Sequence, residues 1–99
     1  MEKRTPHHKL PLIRLAIAGR RYRFTRVALE GALELGLEST EQVLAVITGL
    51  TSADFYKSMT TYADHSIWQD VYHPWVNGQR AYVKLTLQGD LLIVSFKEK

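Results

Sequence analysis

The sequence predicts an α+β fold in which the helices come first and the strands follow. In the first half, apolar residues recur at helical spacing between recognisable helix ends, whereas short runs of aromatic and β-branched residues begin near residue 58. Tight-turn signals at Asn77-Gly78 and Gly89-Asp90 then divide the second half. We therefore expect a single domain over residues 1–99, built from a small antiparallel β-sheet with helices packed on one face.

The first helix is predicted between Pro11 and Gly19. Proline suits the first helical position because an N–H there would be unpaired anyway, and glycine commonly follows the last turn. Ile13 and Ile17 lie between them at helical spacing. The run 21–24 fits either a strand or an extended connector, and the sequence leaves both open.

Two further helices are indicated by residues suited to capping their first turns. Thr25 is a good N-cap for a second helix that stops at Gly36. Ser39 and Gln42 have the spacing of a capping box, which opens a third helix that is interrupted at Gly49. The apolar side chains of the third helix are expected to face inward, with the glutamates largely on the outer sides.

Between the third helix and the sheet, Thr51 and Asp54 repeat the spacing of a cap. This predicts one or two helical turns ending near Lys57, with strands from about residue 58. Pro74 has no N–H to donate and limits strand pairing beyond it. The two tight turns then join three strands into an antiparallel meander.

Strand alternation predicts which side chains lie on the open side of the sheet. In the run 81–87 the odd-numbered positions are apolar, whereas Tyr82 and Lys84 point to the other side. The run 91–96 is apolar on both faces and is therefore expected in the sheet interior. With helices covering the apolar side, Tyr82 and Lys84 lie on the open side.

Composition excludes several kinds of chemistry. With 45% hydrophobic and 23% charged residues, the chain is typical of a soluble globular protein. The absence of cysteine excludes disulfides, thiolate catalysis, iron–sulfur clusters and sulfur-rich zinc sites. The run 1–9 is too polar for a signal peptide, and no apolar run approaches the ~20 residues that span a bilayer. We expect a cytoplasmic protein without membrane contact.

The charges are segregated along the chain. Residues 1–26 contain eight Lys and Arg against one acid, and residues 27–56 contain five acids and no base. Although the net charge is only +3, the first quarter of the chain is strongly basic. Such a segment favours encounter with a polyanion and contacts to phosphates. A solvated charged face is the alternative. The acidic middle segment favours contact with nucleic acid over a merely solvated face, because it would repel nucleic acid and confine it to one side of the protein.

The segment 54–72 has the densest set of groups suited to a phosphodiester. It holds Lys57, Gln69 and His65, together with hydroxyl and aromatic side chains. The latter are Ser58, Thr60, Thr61, Tyr56, Tyr62, Tyr72 and Trp68. These groups fit metal-free cleavage of RNA by attack of the ribose 2′-hydroxyl on the adjacent phosphorus. That reaction needs a base, charge stabilisation on the phosphoryl oxygens and a proton for the leaving oxygen.

Four separated blocks of the sequence resemble the MqsR family. They are MEKRTPH at the start, DFYKSMTTY and IWQDVY in the middle, and LIVSFKEK at the end, and the likeness covers essentially all 99 residues. That family consists of ribosome-independent messenger-RNA endonucleases, the toxins of bacterial type II toxin–antitoxin pairs, with a RelE-like fold. The resemblance implies cleavage of single-stranded mRNA, with a preference for GC-containing sites, and arrest of translation and growth.

The resemblance also implies a partner. Members of the family are neutralised by an MqsA antitoxin, which has a zinc-binding portion and a helix-turn-helix DNA-binding portion. The zinc belongs to that partner, and no specific DNA binding is expected from the toxin alone.

By resemblance, Lys57, Gln69 and Tyr82 stand where the family places its catalytic residues. We assign Lys57 to the developing phosphate charge, Tyr82 to proton transfer and Gln69 to positioning, the last two roles being interchangeable. Each has a structural alternative. Lys57 would complement a helix end, Tyr82 would be an ordinary strand tyrosine, and Gln69 would be a structural amide.

Three further residues are expected to contact the substrate. His7 and Met59 match positions near the family's active site, and Lys84 is added from its place on the open side of the sheet alone. Two positions depart from the family pattern. His73 stands where we expect arginine and Gly89 where a histidine occurs, which puts any phosphate contact or proton relay there in doubt.

No metal or cofactor is expected. The four histidines lack the spacing of metal ligands, and no cluster of carboxylates accompanies them. Apart from His7, they are expected to face solvent rather than act in catalysis.

Two other functions compete with the endoribonuclease. A non-catalytic RNA-binding repressor of translation would show the same basic charge and aromatic residues. A transcriptional regulator or protein-interaction domain would be expected to have a recognition-helix pattern on a basic helix, and the two middle helices are acidic, which argues against it.

Overall fold

The chain folds into three α-helices and seven β-strands, as a computed structural model describes for residues 1–99. The helices are α1 (Leu10–Ala18), α2 (Arg26–Glu34) and α3 (Thr40–Thr48). The strands are β1 (Glu2–Lys3), β2 (Tyr22–Phe24), β3 (Phe55–Thr60), β4 (Trp68–Tyr72), β5 (Trp75–Val76), β6 (Gln79–Gln88) and β7 (Asp90–Glu98). The predicted α+β class is confirmed.

The helices begin and end at the predicted signals. Thr25 Oγ1 accepts a backbone N–H of the first turn of α2 at 3.1 Å. Ser39 and Gln42 form the reciprocal hydrogen bonds of a capping box at the start of α3. Pro11 lies in the first turn of α1, where its lack of an N–H is harmless, and Gly19 follows the last. None of these helices is long and apolar enough to cross a membrane.

The sheet is mixed rather than wholly antiparallel. Its strand order is β1-β3-β4-β6-β7-β2, with β5 paired to β6 beside this path. Every pair is antiparallel except β2 and β7, which run parallel with Tyr22 opposite Leu91. The predicted antiparallel sheet is therefore wrong at this edge. A tight turn forces antiparallel pairing, but β2 reaches β7 only through the rest of the chain, so either direction is open to it.

Two other expectations about strands are settled by this order. The run 21–24 contains a strand, β2, and is not merely a connector. As predicted, β7 lies in the interior of the sheet, between β6 and β2.

The segment between α3 and β3 is shorter than predicted. It contains a single 3₁₀ turn, Ser52–Asp54, in which the Asp54 carboxylate accepts the Thr51 N–H at 2.9 Å. β3 then begins at Phe55 rather than near residue 58. Lys57 consequently lies within a strand, and its expected position near a helix end is wrong.

The core lies between the helices and one face of the sheet. Its sheet residues include Val83, Leu85 and Phe96, which are completely buried. α2 packs against β7 so closely that a Cβ added at Gly31 would lie 2.0 Å from the Phe96 carbonyl oxygen. Only glycine allows this approach. The opposite face of β3, β4 and β6, called the open face below, has partly buried side chains at alternate positions around Val71, which is completely buried.

Candidate active site

Strand register places five of the six predicted site residues on the open face. Residues paired directly across antiparallel strands share a face, and successive residues alternate. Val71 of β4 is paired with Lys57 on one side and Lys84 on the other, and Gln69 of β4 is paired with Met59. Tyr82 lies two residues before Lys84 on β6 and shares its face. Three neighbouring strands therefore place the predicted lysine, amide and phenol on one face, with Gln69 and Tyr82 displaced in opposite directions along the strands from the level of Lys57.

Lys57 is held by a carboxylate, Glu2, that is not among the predicted site residues. Its Nζ donates a hydrogen bond to Oε1 of Glu2, which lies on β1 at the edge of the sheet. Glu2 is opposite Met59, so it belongs to the open face as well. The hydrogen bond to Glu2 raises the pKa of Lys57, and the same bond lowers the pKa of Glu2. Both side chains are therefore charged at neutral pH.

Tyr82 faces two cations. Lys97, its cross-strand partner on β7, has Nζ 5.3 Å from the centre of the phenol ring. Burial raises the pKa of Tyr82, and the charge of Lys57 offsets part of that rise. The phenol is therefore protonated at neutral pH, which suits it to donate a proton. Lys84, on the same strand, has its pKa lowered by burial and then by Lys97.

A histidine joins the cluster where solvent exposure was expected. His73 is only 9% exposed, so the expectation that it faces solvent is wrong. Its ring stacks on Tyr56 with centroids 4.5 Å apart and lies 5.9 Å from the ring of Tyr82. Burial lowers the pKa of His73, and the nearby charges of Lys99 and Arg80 lower it further. The imidazole is therefore largely neutral at neutral pH.

The position of Tyr56 depends on a bulge. The register between β3 and β4 shifts between Phe55 and Lys57, so Tyr56 is left without a partner residue on β4. Its ring lies 5.4 Å from Lys57 Nζ and 5.2 Å from the guanidinium carbon of Arg4. A bulge of this kind commonly redirects a side chain, and no local pattern in the sequence marks it.

His7 is the predicted site residue that the fold does not bring to this cluster. Its ring stacks on Trp68 with centroids 5.3 Å apart, and Lys3 Nζ lies 2.8 Å from its Nδ1. Trp68 and Asp70 point to the opposite face of β4 from Gln69, because side chains alternate along a strand. His7 therefore lies on the other side of the sheet from the five open-face residues.

Asp70 holds the amino-terminal segment in place. This completely buried carboxylate accepts the backbone N–H groups of His7 at 3.1 Å and His8 at 2.8 Å. It also accepts the Ser58 hydroxyl at 2.5 Å, and the Thr5 carbonyl oxygen lies 3.0 Å from the same Oγ. Buried carboxylates need such partners. The segment that carries Glu2 and Arg4 is thus fixed against β3 and β4.

A cavity of about 380 Å³ opens at the end of the cluster. Glu2 and Met59 line it together with Thr60, Tyr62 and His65. The Tyr62 ring is fully exposed, so its faces are free for stacking. The cavity therefore adjoins Lys57 through both Glu2 and Met59.

The open face carries the groups that phosphodiester cleavage requires. Lys57, Lys84 and Lys97 supply positive charge, Tyr82 a proton, and Gln69 a hydrogen-bonding amide. Groups of three or more His, Asp or Glu side chains placed to share a metal ion do not occur in the fold.

Comparison with known proteins identifies the family. The family model described as "Motility quorum-sensing regulator, toxin of MqsA" matches residues 5–98. The chain is also similar to the mRNA interferase toxin MqsR of Escherichia coli (strain K12), with 52% identity over 99 residues that cover the whole of both chains. On this match, which extends over nearly the entire sequence, the chain belongs to the MqsR toxin family.

Proposed function

We propose that this protein is the toxin of a type II toxin–antitoxin system and acts as a ribosome-independent endoribonuclease on single-stranded mRNA in the cytoplasm. Cleavage at GC-containing sites would arrest translation and growth. The observation that carries the proposal is that Lys57, Gln69 and Tyr82 share the open face of three adjacent strands. The similar protein from Escherichia coli, an mRNA interferase toxin by name, supports the same activity.

The groups at the site fit internal attack by the ribose. Lys57, charged at neutral pH, stabilises the negative charge that develops on the phosphoryl oxygens. Tyr82, protonated at neutral pH, donates a proton to the leaving 5′-oxygen. Gln69 lies on β4, displaced from Lys57 in the direction away from Tyr82, and orients the phosphate or ribose through its amide. Lys84 and Met59 contact the nucleotides on either side.

The surroundings of the cluster suit a single RNA strand. The cavity beside Glu2 and Met59 receives a nucleotide next to the scissile phosphate, and the exposed ring of Tyr62 offers a stacking surface. Lys97 adds charge at the opposite end, beside Tyr82. An extended strand crossing β3, β4 and β6 would therefore meet cations along its path.

The antitoxin partner is proposed from the family description. That family is the toxin of MqsA, so a cognate MqsA-like antitoxin, with its own zinc-binding and helix-turn-helix portions, is the expected inhibitor. A RelE-like arrangement of the sheet is proposed with it. The helices on one face and the cluster on the other support that arrangement.

The test is cleavage of a defined transcript by the purified protein without ribosomes. We expect fragments that end in a 2′,3′-cyclic phosphate and a 5′-hydroxyl, and no cleavage where the nucleotide before the scissile bond lacks its 2′-hydroxyl. Intact RNA under conditions of tight binding would instead favour a non-catalytic RNA-binding repressor.

A further inference from the structure

The position of Glu2 over Lys57 suggests a second role for the amino-terminal strand. β1 is only two residues long, and it is fixed to β3 by the Thr60 N–H, which donates to the Met1 carbonyl at 3.0 Å. Farther along, the Asp70 carboxylate holds residues 7 and 8. Glu2 is therefore anchored from both sides and is not a freely moving terminal side chain.

We propose that Glu2 is the general base of the cleavage reaction, which takes the proton of the attacking 2′-hydroxyl. The proposal rests on the endoribonuclease function proposed above. The Glu2 side chain contacts Lys57 directly and is 54% exposed, whereas the Lys57 side chain is 19% exposed. A phosphate that reaches the Lys57 ammonium must pass beside this carboxylate. The adjoining ribose is thereby brought within reach of Glu2.

The other titratable groups of the cluster are less suited to accept this proton. Lys57 has a raised pKa and stays protonated, and Tyr82 has a raised pKa and also keeps its proton. Glu2 has a lowered pKa and is ionised, so it is an acceptor at neutral pH. His73 is the one neutral base nearby, but it is buried between Tyr56 and Tyr82.

Substrate binding makes Glu2 a stronger base. The hydrogen bond from Lys57 is the largest cause of its lowered pKa, ahead of the charges of Lys57, Arg4 and the amino-terminal ammonium. When a phosphate oxygen takes that hydrogen bond, the carboxylate loses this stabilisation and gains a negative neighbour, and both changes raise its pKa. Tyr62 and His65 are the other titratable side chains that line the cavity beside Glu2.

The reaction balances with groups already present. Glu2 accepts the 2′-hydroxyl proton as the 2′-oxygen forms a bond to phosphorus. The bond from phosphorus to the 5′-oxygen breaks, and that oxygen takes the proton of Tyr82. The products are a 2′,3′-cyclic phosphate and a 5′-hydroxyl. Proton exchange with water then returns Glu2 to the carboxylate and Tyr82 to the phenol.

The experiment compares Glu2→Gln, Glu2→Asp and His73→Phe with the exposed control Glu34→Gln on α2. Single-turnover cleavage of a short RNA gives the rate, and binding of the same oligomer with 2′-deoxy nucleotides gives the affinity without cleavage. We expect Glu2→Gln to lower the rate at least about 100-fold with affinity unchanged or tighter. Glu2→Asp should be intermediate and Glu34→Gln unchanged.

Four results separate the alternatives. A Glu2→Gln variant that keeps the wild-type rate would overturn the proposal. A faster variant would also overturn it, because the carboxylate would then merely compete with phosphate for Lys57. A loss confined to His73→Phe would assign the base to His73 instead. Failure of the wild-type protein to cleave would count against the proposed function itself, and circular dichroism of each variant checks that it is folded.

Discussion

The ammonium of Lys57 on β3 and the phenol of Tyr82 on β6 lie close enough across β4 for each to change the pKa of the other. The cation lowers the pKa of Tyr82, although burial outweighs it, and the phenol contributes to the raised pKa of Lys57. This coupling places a permanent cation and a proton donor at the same site. It is the arrangement that stabilisation of a phosphorane and protonation of its leaving group require.

Removing only the hydroxyl of Tyr82 tests the proton-donor role. Tyr82→Phe keeps the ring against Lys97 and should leave the fold intact, because the open face is not the core. We expect the single-turnover rate to fall at least about 100-fold with little change in RNA affinity. Full activity would remove Tyr82 from the reaction.

Tyr72→Phe is the matched control on the opposite face. The Tyr72 hydroxyl is buried without a hydrogen-bond partner, and burial raises its pKa to about 12. Because an unpaired buried hydroxyl is costly, its removal should leave stability unchanged or raise it by about 1 kcal/mol. Cleavage should be unaffected. A loss of activity in Tyr72→Phe would mean that the Tyr82→Phe result reflects the sheet rather than the hydroxyl.

Lys57→Ala tests the charge that stabilises the phosphate. We expect a fall in the cleavage rate of at least about 100-fold, and binding of RNA should also become less sensitive to salt. The melting temperature should change little, since the ion pair of Lys57 with Glu2 lies at the sheet edge with the Glu2 side chain 54% exposed, and such pairs contribute little to stability. Lys9→Ala, an exposed lysine before α1, should retain the wild-type rate.

The helix boundaries could be predicted because their signals are local. Thr25 and Ser39 cap their helices through atoms a few residues away, so the sequence contains both partners of each bond. The parallel pairing of β2 with β7 joins residues such as Tyr22 and Leu91, which are distant in the chain. That pairing is set by packing of the whole chain, and no turn signal encodes it.

In the candidate site, too, local features could be predicted from the sequence and long-range contacts could not. The alternation of side chains predicted that Tyr82 and Lys84 lie on the open face, because it depends only on the sequence of one strand. The contact of Glu2 with Lys57 and the burial of His73 against Tyr56 depend on an edge pairing and on a bulge. Both are long-range features, so the sequence pattern gave no sign of either.

The buried histidine predicts a dependence of stability on pH. The pKa of His73 is lower in the folded protein than the ordinary value of 6.5, so the unfolded chain binds protons first as the pH falls. Stability should therefore be fully present above about pH 6.5 and decline below it, until His73 is protonated in the folded state as well. Lys99, Arg80, Tyr56 and Tyr82 face this ring and favour its neutral form or leave it unchanged.

The measurement is the difference in melting temperature between about pH 7.5 and about pH 5.5. His73→Phe keeps an aromatic ring against Tyr56 but cannot titrate, so the difference should be smaller than in the wild-type protein. His7 also has a lowered pKa and contributes with the same sign, but it is present in both proteins and cancels. Equal differences would show that folding does not change the pKa of His73, contrary to this prediction.

Cleavage should not need a divalent metal. The charge that a metal ion would supply is assigned here to Lys57, Lys84 and Lys97 on the open face. We expect the cleavage rate to be unchanged by excess chelator and by added magnesium at constant ionic strength. Loss of cleavage in chelator with recovery on addition of magnesium would contradict the proposed chemistry.

The close contact between α2 and β7 predicts that Gly31→Ala is destabilising. Its new methyl group would lie 2.0 Å from the Phe96 carbonyl oxygen, so the helix must move away from the strand. We expect a loss of about 1–3 kcal/mol in the free energy of unfolding, measured by urea denaturation, despite the better helix propensity of alanine. At Gly49 the nearest atoms would be 3.4 Å away and φ is −84°, so Gly49→Ala should be tolerated. Equal stability of the two variants would show that α2 and β7 can separate freely, which their burial of a shared core argues against.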